Sequence, residues 1–508
     1  MDSRYDVVII GGGLGGLLSG VLLAKEGMKV CLLEKDKQLG GCLQTFSLHK
    51  KVFDSCVHYI GGLGEGHTLH SIFRYVGIMD KLHLKAFDTN GFDRIAFGND
   101  ETEYPQATGK ENFTEQLARY FPREKDALEQ YVRTVSQAGD HFPLYRLRAG
   151  SPEEKSAVSG WGLVDTLNSI TSNARLRQVL AGNNLLYAGE AGKTPFYLHA
   201  LVLESYIHSA HKIVPGSSQL SKFLWQELQQ HGAEVHRNTE IVKLVEENGE
   251  LRYAESAAGE RYYGKHFVAN LHPEALLGML ESKLVRPAYR NRIKGLEQTI
   301  STFMLNLVLA PGTVPLRRYN LYWNAAEDSW QAVHYQPQEW PANYALFFTE
   351  DEHNPGYAES LSILAYMHYD EVARWAHTHN HTGHKEDRGE EYADFKARRS
   401  ERLLNKVLER VPELKGNIVA QSAASPLTYR DYTATPKGSL YGILKDVNKP
   451  AETTIATRTR IPNLLLTGQN VNLHGVLGVS ITAIATCAEL VGMEHLLHKI
   501  TLNRPVGR

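Results

Sequence analysis

The run Gly11-x-Gly13-x-x-Gly16, with Glu34 eighteen residues further on, is the part of this sequence best equipped for chemistry. At this spacing the first glycine permits a tight turn and the second lets a pyrophosphate approach the backbone. The third lets a helix pack closely on a strand. The helix that starts here points free N–H groups and the positive end of its dipole at the phosphates, so Gly11, Gly13, Leu14, Gly15 and Gly16 are the candidate phosphate contacts. A carboxylate at Glu34 is placed to accept hydrogen bonds from a ribose. The pattern alone is weak evidence, and a glycine-rich turn in a nucleotide-free protein competes with it. Its setting argues for the nucleotide.

Val7 to Ile10 is a continuous β-branched run, as expected of a strand buried on both faces. It leads straight into Gly11. Leu17, Leu18, Val21, Leu22 and Leu23 come next at helical spacing, Gly27 ends the helix, and Lys29 to Leu33 reads as a second strand closed by Glu34. This is a βαβ unit of about thirty residues. Such a unit serves NAD or FAD equally well.

The residues after Glu34 separate the two. The stretch Glu34-Lys35-x-x-x-x-Gly40-Gly41 resembles the extended FAD fingerprint of the amine oxidase superfamily, and the wider context narrows the likeness. Gly40-Gly41-Cys42, Thr45-Phe46 and Phe53-Asp54-Ser55-Cys56-Val57-His58-Tyr59-Ile60-Gly61-Gly62 resemble the family of phytoene desaturases, carotenoid isomerases and all-trans-retinol saturases. Pro215-Gly216-Ser217-Ser218-x-Leu220 with Gly232 to Leu244 is similar to the family's return to the FAD domain. Thr428-Tyr429-Arg430-Asp431-Tyr432 with Pro436-x-Gly438-Ser439-x-Tyr441-Gly442 is similar to its late substrate-side block. Asn463-Leu464-x-x-Thr467-Gly468-Gln469 with Gly475-x-x-Gly478 is similar to its C-terminal flavin block. The matches run from residue 7 to about residue 492.

The resemblance implies FAD, held also by Lys35, Gly40, Gly41, Cys42, His58, Ile241, Gly468, Gln469, Gly475, Val476 and Gly478. It implies oxidoreduction at C=C bonds of a long apolar polyene or isoprenoid lipid, by hydride exchange at flavin N5, with NAD(P)H or another redox partner. His58 and Tyr59 are its candidate catalytic residues; a structural, flavin-shaping role for His58 is the competing reading. Three positions depart from the pattern. Cys42 stands where most sequences of the superfamily have Arg, Gln469 where many have Asp, and Ser55-Cys56 where a Thr-Gly pair is usual. An amine or amino-acid oxidase, and a non-catalytic lipid-binding escort protein, are the other activities the same fold carries.

The elements that must position these residues read as an α/β protein. The reading is a discontinuous Rossmann-type FAD-binding domain (1–68, 212–275 and 425–508) with an inserted α+β substrate domain of mixed or antiparallel sheet and helices (69–211 and 276–424). From Leu69 to Ala210 the pattern is mostly helical, with Phe113 to Val135 and Leu198 to Ala210 the clearest stretches. Phe303 to Leu309, Leu321 to Trp323, Tyr344 to Phe348 and Ser362 to Met367 read as an antiparallel sheet. A strand-like stretch spans Val235 to Glu246, and helices are expected at Gln219 to His231, Glu391 to Arg410 and Ser480 to Gly492.

The 508 residues suffice for a large core and a large ligand. With 55 basic and 57 acidic residues there is no global attraction to nucleic acid. Cys31, Cys42, Cys56 and Cys487 make no disulfide framework, and no secretory signal is evident, so the expected compartment is the reducing cytoplasm. Membrane association, as a peripheral contact, rests on family analogy. Val476 to Met493 is apolar, but Ser480, Thr482, Thr486 and Glu489 mark it as a buried helix. His377, His379, His381 and His384 run into a charged stretch and read as a solvated loop; no metal site is expected. Cys56 reads as a small packing residue.

Overall fold

The computed structural model describes residues 5–381 and 385–502. The first unit is β1 (Tyr5–Ile10), α1 (Leu14–Lys25) and β2 (Val30–Leu33). β1 pairs in parallel with β2 on one side and with Arg261–Ala269 on the other. Glu234–His236 extends the parallel sheet beyond β2, and Leu464–Leu466 closes it at the far edge. The unbroken apolar run of β1 has a direct cause. Val7 and Ile9 enter the core on one side of the sheet, and Tyr5, Val8 and Ile10 enter a second core on the other. A parallel strand covered on both faces has no solvent side to alternate with.

α1 packs against Gly475–Val491 and Ser218–Gln230, so it is buried from Leu14 to Ala24. The outer end of Arg261–Ala269 pairs antiparallel with Glu250–Ser256, which in turn pairs with Ile241–Glu247. The expected single strand from Val235 to Glu246 is therefore two strands, one in the parallel layer and one in this ribbon.

A second seven-stranded sheet runs in the order Ile418–Ala424, Ser301–Leu309, Ala358–Met367, Asn343–Glu350, Asn320–Asn324, Asp93–Phe97, Tyr104–Gln106. Its pairs are antiparallel except one: Asn320–Asn324 lies parallel to Asp93–Phe97, with Asn320 opposite Asp93. Asp93–Phe97 comes from the stretch expected to be mostly helical. Gly91 and Gly98 bracket an apolar run too short for a helix of ordinary length. The expected helix from Phe113 to Val135 is two helices, Lys110–Ala118 and Lys125–Asp140, because Pro122 falls between them. The expected helix over Leu198 to Ala210 is Phe196–His208, and Ala210 opens a strand, Ala210–Ile213.

That strand joins Ile60–Gly61 and Leu84–Ala86 in a small sheet. It anchors the chain leaving the glycine-pair region, which carries His58 and Tyr59. Gly61 is required here: a Cβ would lie 2.6 Å from the Ser205 backbone carbonyl carbon.

Candidate active site

One elongated cavity of about 410 Å³ is lined by residues from the parallel sheet, the second sheet and the helix Phe196–His208. Its lining includes Glu34, Lys35 and Ile241, beside the carboxyl ends of the parallel strands, where open α/β sheets place ligands. Glu34 is buried. Its Oε2 accepts the Gly12 N–H at 2.7 Å and its Oε1 accepts the Asp36 N–H at 2.9 Å. Burial nevertheless raises its pKa above the ordinary range. The carboxylate thus shapes the loop that precedes α1 as well as facing the cavity.

The cavity is also lined by Gly11, Gly13, Leu14, Gly15, Gly40, Gly41 and Cys42 from the first unit, and by Gly468, Gln469, Gly475, Val476 and Gly478 from the C-terminal segment. Gly16 does not line it. A Cβ there would stand 2.0 Å from the Gly11 carbonyl oxygen, so its part is to let α1 pack on the turn. The helices α1 and Gly475–Val491 begin at this cavity. Neither start has a side-chain cap or an acid in its first turn. Their N-terminal N–H groups and dipoles favour negative charge in the cavity. The second helix starts one residue before the apolar stretch from Val476 to Met493 and five before Ser480, and this places Gly475, Val476 and Gly478 in its first turn.

The residues fit a bound dinucleotide on a further observation. The cavity wall holds two buried polar atoms with no partner among the described residues, Thr467 Oγ1 and His58 Nε2. Buried polar groups of this kind are normally satisfied by a ligand or water. The wall carries no Cβ at the paired turns Gly13 and Gly40, which bridge one another in parallel.

Cys42 and Cys56 are half-buried and both line the cavity, and Cys56 also packs against the core. The Cys56 thiol is pushed well above its ordinary range, by its contact with Cys42 and by burial. Gln469 lines the wall, as does Tyr441, whose hydroxyl donates to the Leu185 carbonyl at 2.9 Å.

His58 is buried and stacks on Phe347, with ring centroids 4.4 Å apart. Burial, reinforced by Lys212, lowers its pKa to about 3. It is therefore neutral near pH 7 and has no imidazolium proton to give. His58→Gln should keep its cofactor and turn over within about threefold of the parent, with an unshifted pH profile; a general acid or base would cost about a hundredfold or more. Steady-state rates across pH decide between them.

Tyr59 has a different setting. Its hydroxyl donates to Asp93 Oδ2 at 2.7 Å and lies 2.7 Å from the Tyr322 hydroxyl. Asn320 Nδ2 donates to Asp93 Oδ1 at 2.9 Å. Asp93 is wholly buried. Burial, against the lowering effect of the Asn320 and Tyr59 hydrogen bonds, lifts its pKa to about 7. Neither Asp93 nor Tyr322 is among the residues the sequence singles out. The available signal was an acid leading the apolar run Ile95-Ala96-Phe97 between two glycines.

Apolar groups share the lining: Leu185, Leu201, Val202, Phe347 and Leu364, with Phe347 against both His58 and Tyr59. The helix that supplies Leu201 and Val202 is core-facing along most of its length. His377, His379 and His381 are exposed, and His384 lies outside the described residues.

Comparison with known proteins agrees with this geometry. Residues 9–76 match the model of an NAD(P)-binding Rossmann-like domain. The chain is 27% identical over 531 aligned positions to the human all-trans-retinol 13,14-reductase, covering 94% of this chain and 84% of the relative. It is 22% identical to a 4,4'-diapophytoene desaturase of a Methylomonas species, covering 61% of this chain and 62% of that one. Among solved structures, putrescine oxidase bound to putrescine superposes with a TM-score of 0.62 at 12% identity, over 96% of this chain and 99% of the other. The chain is thus a homologue of the all-trans-retinol 13,14-reductases and the diapophytoene desaturases, built on the fold of the amine oxidases.

Proposed function

We propose that the protein holds FAD in this cavity and uses it to reduce or form a C=C bond in a long apolar polyene or isoprenoid lipid. The observation that carries the reading is the continuity of the cavity. The same cavity is lined by glycine turns and two helix starts suited to a diphosphate and by aromatic and aliphatic side chains suited to a polyene. When bound, FAD supplies the two-electron hydride chemistry. The chain supplies the rest. Gly11, Gly13, Leu14 and Gly15 seat the diphosphate, with Gly16 supporting them. Glu34, Lys35 and Ile241 face the nucleoside. Gly40, Gly41, Cys42, His58, Gly468, Gln469, Gly475, Val476 and Gly478 enclose the remainder. His58 shapes the pocket as a neutral ring.

In this reading residues 1–68, 212–275 and 425–508 form the cofactor domain, and 69–211 with 276–424 the substrate domain. The protein works in the cytoplasm and takes its lipid from a membrane surface by peripheral contact, with NAD(P)H or another reductant resetting the cofactor. Among the described residues no helix is long and apolar enough to cross a membrane. The polyene relatives favour this substrate class over an amine.

Anaerobic assays test the choice. Reduced holoprotein should be reoxidised by all-trans-retinol, or oxidised holoprotein reduced by 4,4'-diapophytoene, with no response to putrescine. Reduction of the oxidised holoprotein by putrescine, with peroxide released once oxygen is admitted, and silence with both polyenes would reverse the assignment.

A further inference from the structure

We propose that Asp93, Tyr59 and Tyr322 form a proton relay that exchanges with the substrate the proton accompanying the hydride, an inference that rests on reading the cavity as a site of C=C oxidoreduction. Tyr59 and Tyr322 line the cavity, and Asp93 lies behind them. The three groups make a chain of two short hydrogen bonds, Asp93 Oδ2 to the Tyr59 hydroxyl and that hydroxyl to the Tyr322 hydroxyl, each 2.7 Å. Asn320 occupies Oδ1, so a proton on the carboxyl belongs on Oδ2, facing the chain. Parallel pairing of Asp93 with Asn320 fixes this arrangement through the backbone.

The number of protons decides what the chain can do. With Asp93 ionised, the chain holds two hydroxyl protons and has two internal hydrogen bonds to fill. Tyr322 donates to Tyr59, Tyr59 donates to Asp93, and nothing is left for the cavity. With Asp93 protonated there are three protons for the same two bonds. The chain reverses: Asp93 donates to Tyr59, Tyr59 to Tyr322, and the Tyr322 O–H becomes the surplus donor. Burial holds both phenols far above their ordinary pKa, so neither rests as a phenolate. The titrating member is Asp93, which changes state near pH 7. The other ionisable groups against the cluster are Tyr206, whose ring stacks on Tyr59 at 4.5 Å, and Tyr441, which acts on Tyr322; both phenols are also raised by burial. Among the described residues no cationic side chain pairs with Asp93.

In the reductive direction the C=C π bond breaks and two C–H bonds form. One carbon would receive a hydride, the two-electron chemistry a bound reduced flavin would supply, and the other takes a proton from Tyr322. Each hydroxyl in the chain shifts one proton along, and Asp93 is left as the carboxylate. Water entering the emptied cavity returns a proton by the same route. In the oxidative direction the chain runs backward and needs Asp93 ionised at the start. Reduction is therefore favoured below about pH 7 and desaturation above it.

Two measurements on the holoprotein test this. Difference infrared spectra of the parent against Asp93→Asn, from about pH 5 to about pH 9, should show a buried carboxylic acid band lost with a midpoint near 7 and missing in the variant. Anaerobic single-turnover reoxidation of the reduced protein by all-trans-retinol should slow above that midpoint. In Asp93→Asn it should be about a hundredfold slower or more, and independent of pH. Tyr322→Phe keeps the Asp93–Tyr59 bond and guards against a folding defect: it should retain the carboxyl band and be slow at every pH. A carboxyl that does not titrate in that window, or wild-type rates in both variants, would overturn the relay. A parent that binds FAD, shows the titrating band and leaves all-trans-retinol untouched would instead remove that substrate and leave the proton site standing.

Discussion

Gly16→Ala should emerge from purification colourless and markedly less stable. The added Cβ would sit 2.0 Å from the Gly11 carbonyl oxygen and 3.3 Å from Ile9 Cγ2. Neither neighbour can retreat cheaply. Ile9 is fully buried in β1, the Gly11 N–H donates to the Leu33 carbonyl at 2.8 Å, and the Gly11 carbonyl accepts Asn270 Nδ2 at 3.2 Å. α1 must therefore lift from the turn, which costs about 3 kcal/mol, the upper part of the range for overpacked sites. The same movement displaces Leu14 and Gly15 from the cavity wall. Gly278→Ala is the control. It lies in the helix Pro273–Met279, where an added methyl would have nothing within 4 Å, so it should keep its colour and gain up to about 1 kcal/mol from helix propensity. Thermal melting and bound-flavin absorbance report both variants.

Glu34→Ala should lower FAD affinity about a hundredfold while the protein still folds. The lost carboxylate leaves the Gly12 and Asp36 N–H groups buried without their acceptors. Hydrogen bonds to charged groups contribute about 1.5–3 kcal/mol each, and part of this is already offset by the burial that raises the Glu34 pKa. A net loss of about 3 kcal/mol falls on the loop that precedes α1 and corresponds to about two factors of ten in affinity. Glu34→Gln keeps one carbonyl acceptor and should lose only about tenfold. Fluorescence titration of FAD into cofactor-stripped protein measures all three. Parent-like affinity in Glu34→Ala would show that the carboxylate supports neither the loop nor the nucleoside.

Asp93 also links stability to pH. Its pKa is about 7 in the fold and about 3.9 in an unfolded chain. Between these values the folded state binds more protons than the unfolded one, so this group's contribution is fully present below about pH 4. It is lost as pH rises through about 7. Asp93→Asn should remove that slope from the pH dependence of melting.

The first forty residues are legible because local rules and tertiary context agree there. A strand covered on both faces, a glycine turn and an apolar helix each leave an unambiguous mark, and β1, α1 and β2 carry it. The C-terminal helix is legible in kind, and the apolar stretch from Val476 puts its start within one residue, whereas helical propensity alone puts it at Ser480. Its first turn, Gly475 to Gly478, is rich in glycine, and propensity alone does not begin a helix there. Least legible is the part where distant segments meet. Asp93–Phe97 is five residues long and gains its identity from pairing with Asn320–Asn324, more than two hundred residues away. No local pattern announces a carboxyl whose partners are Tyr59, Asn320 and, through Tyr59, Tyr322. The motif around His58 marks that residue, but its protonation state depends on Phe347 and Lys212, which its neighbours in sequence do not reveal.

The most direct test of the central claim is the absorbance spectrum of the purified protein before and after anaerobic reduction. The account predicts a two-banded yellow flavin spectrum that bleaches on reduction and returns when a polyene acceptor such as all-trans-retinol is added. A colourless protein that also fails to take up added FAD would contradict it and make the chain a lipid-binding protein on an oxidoreductase fold.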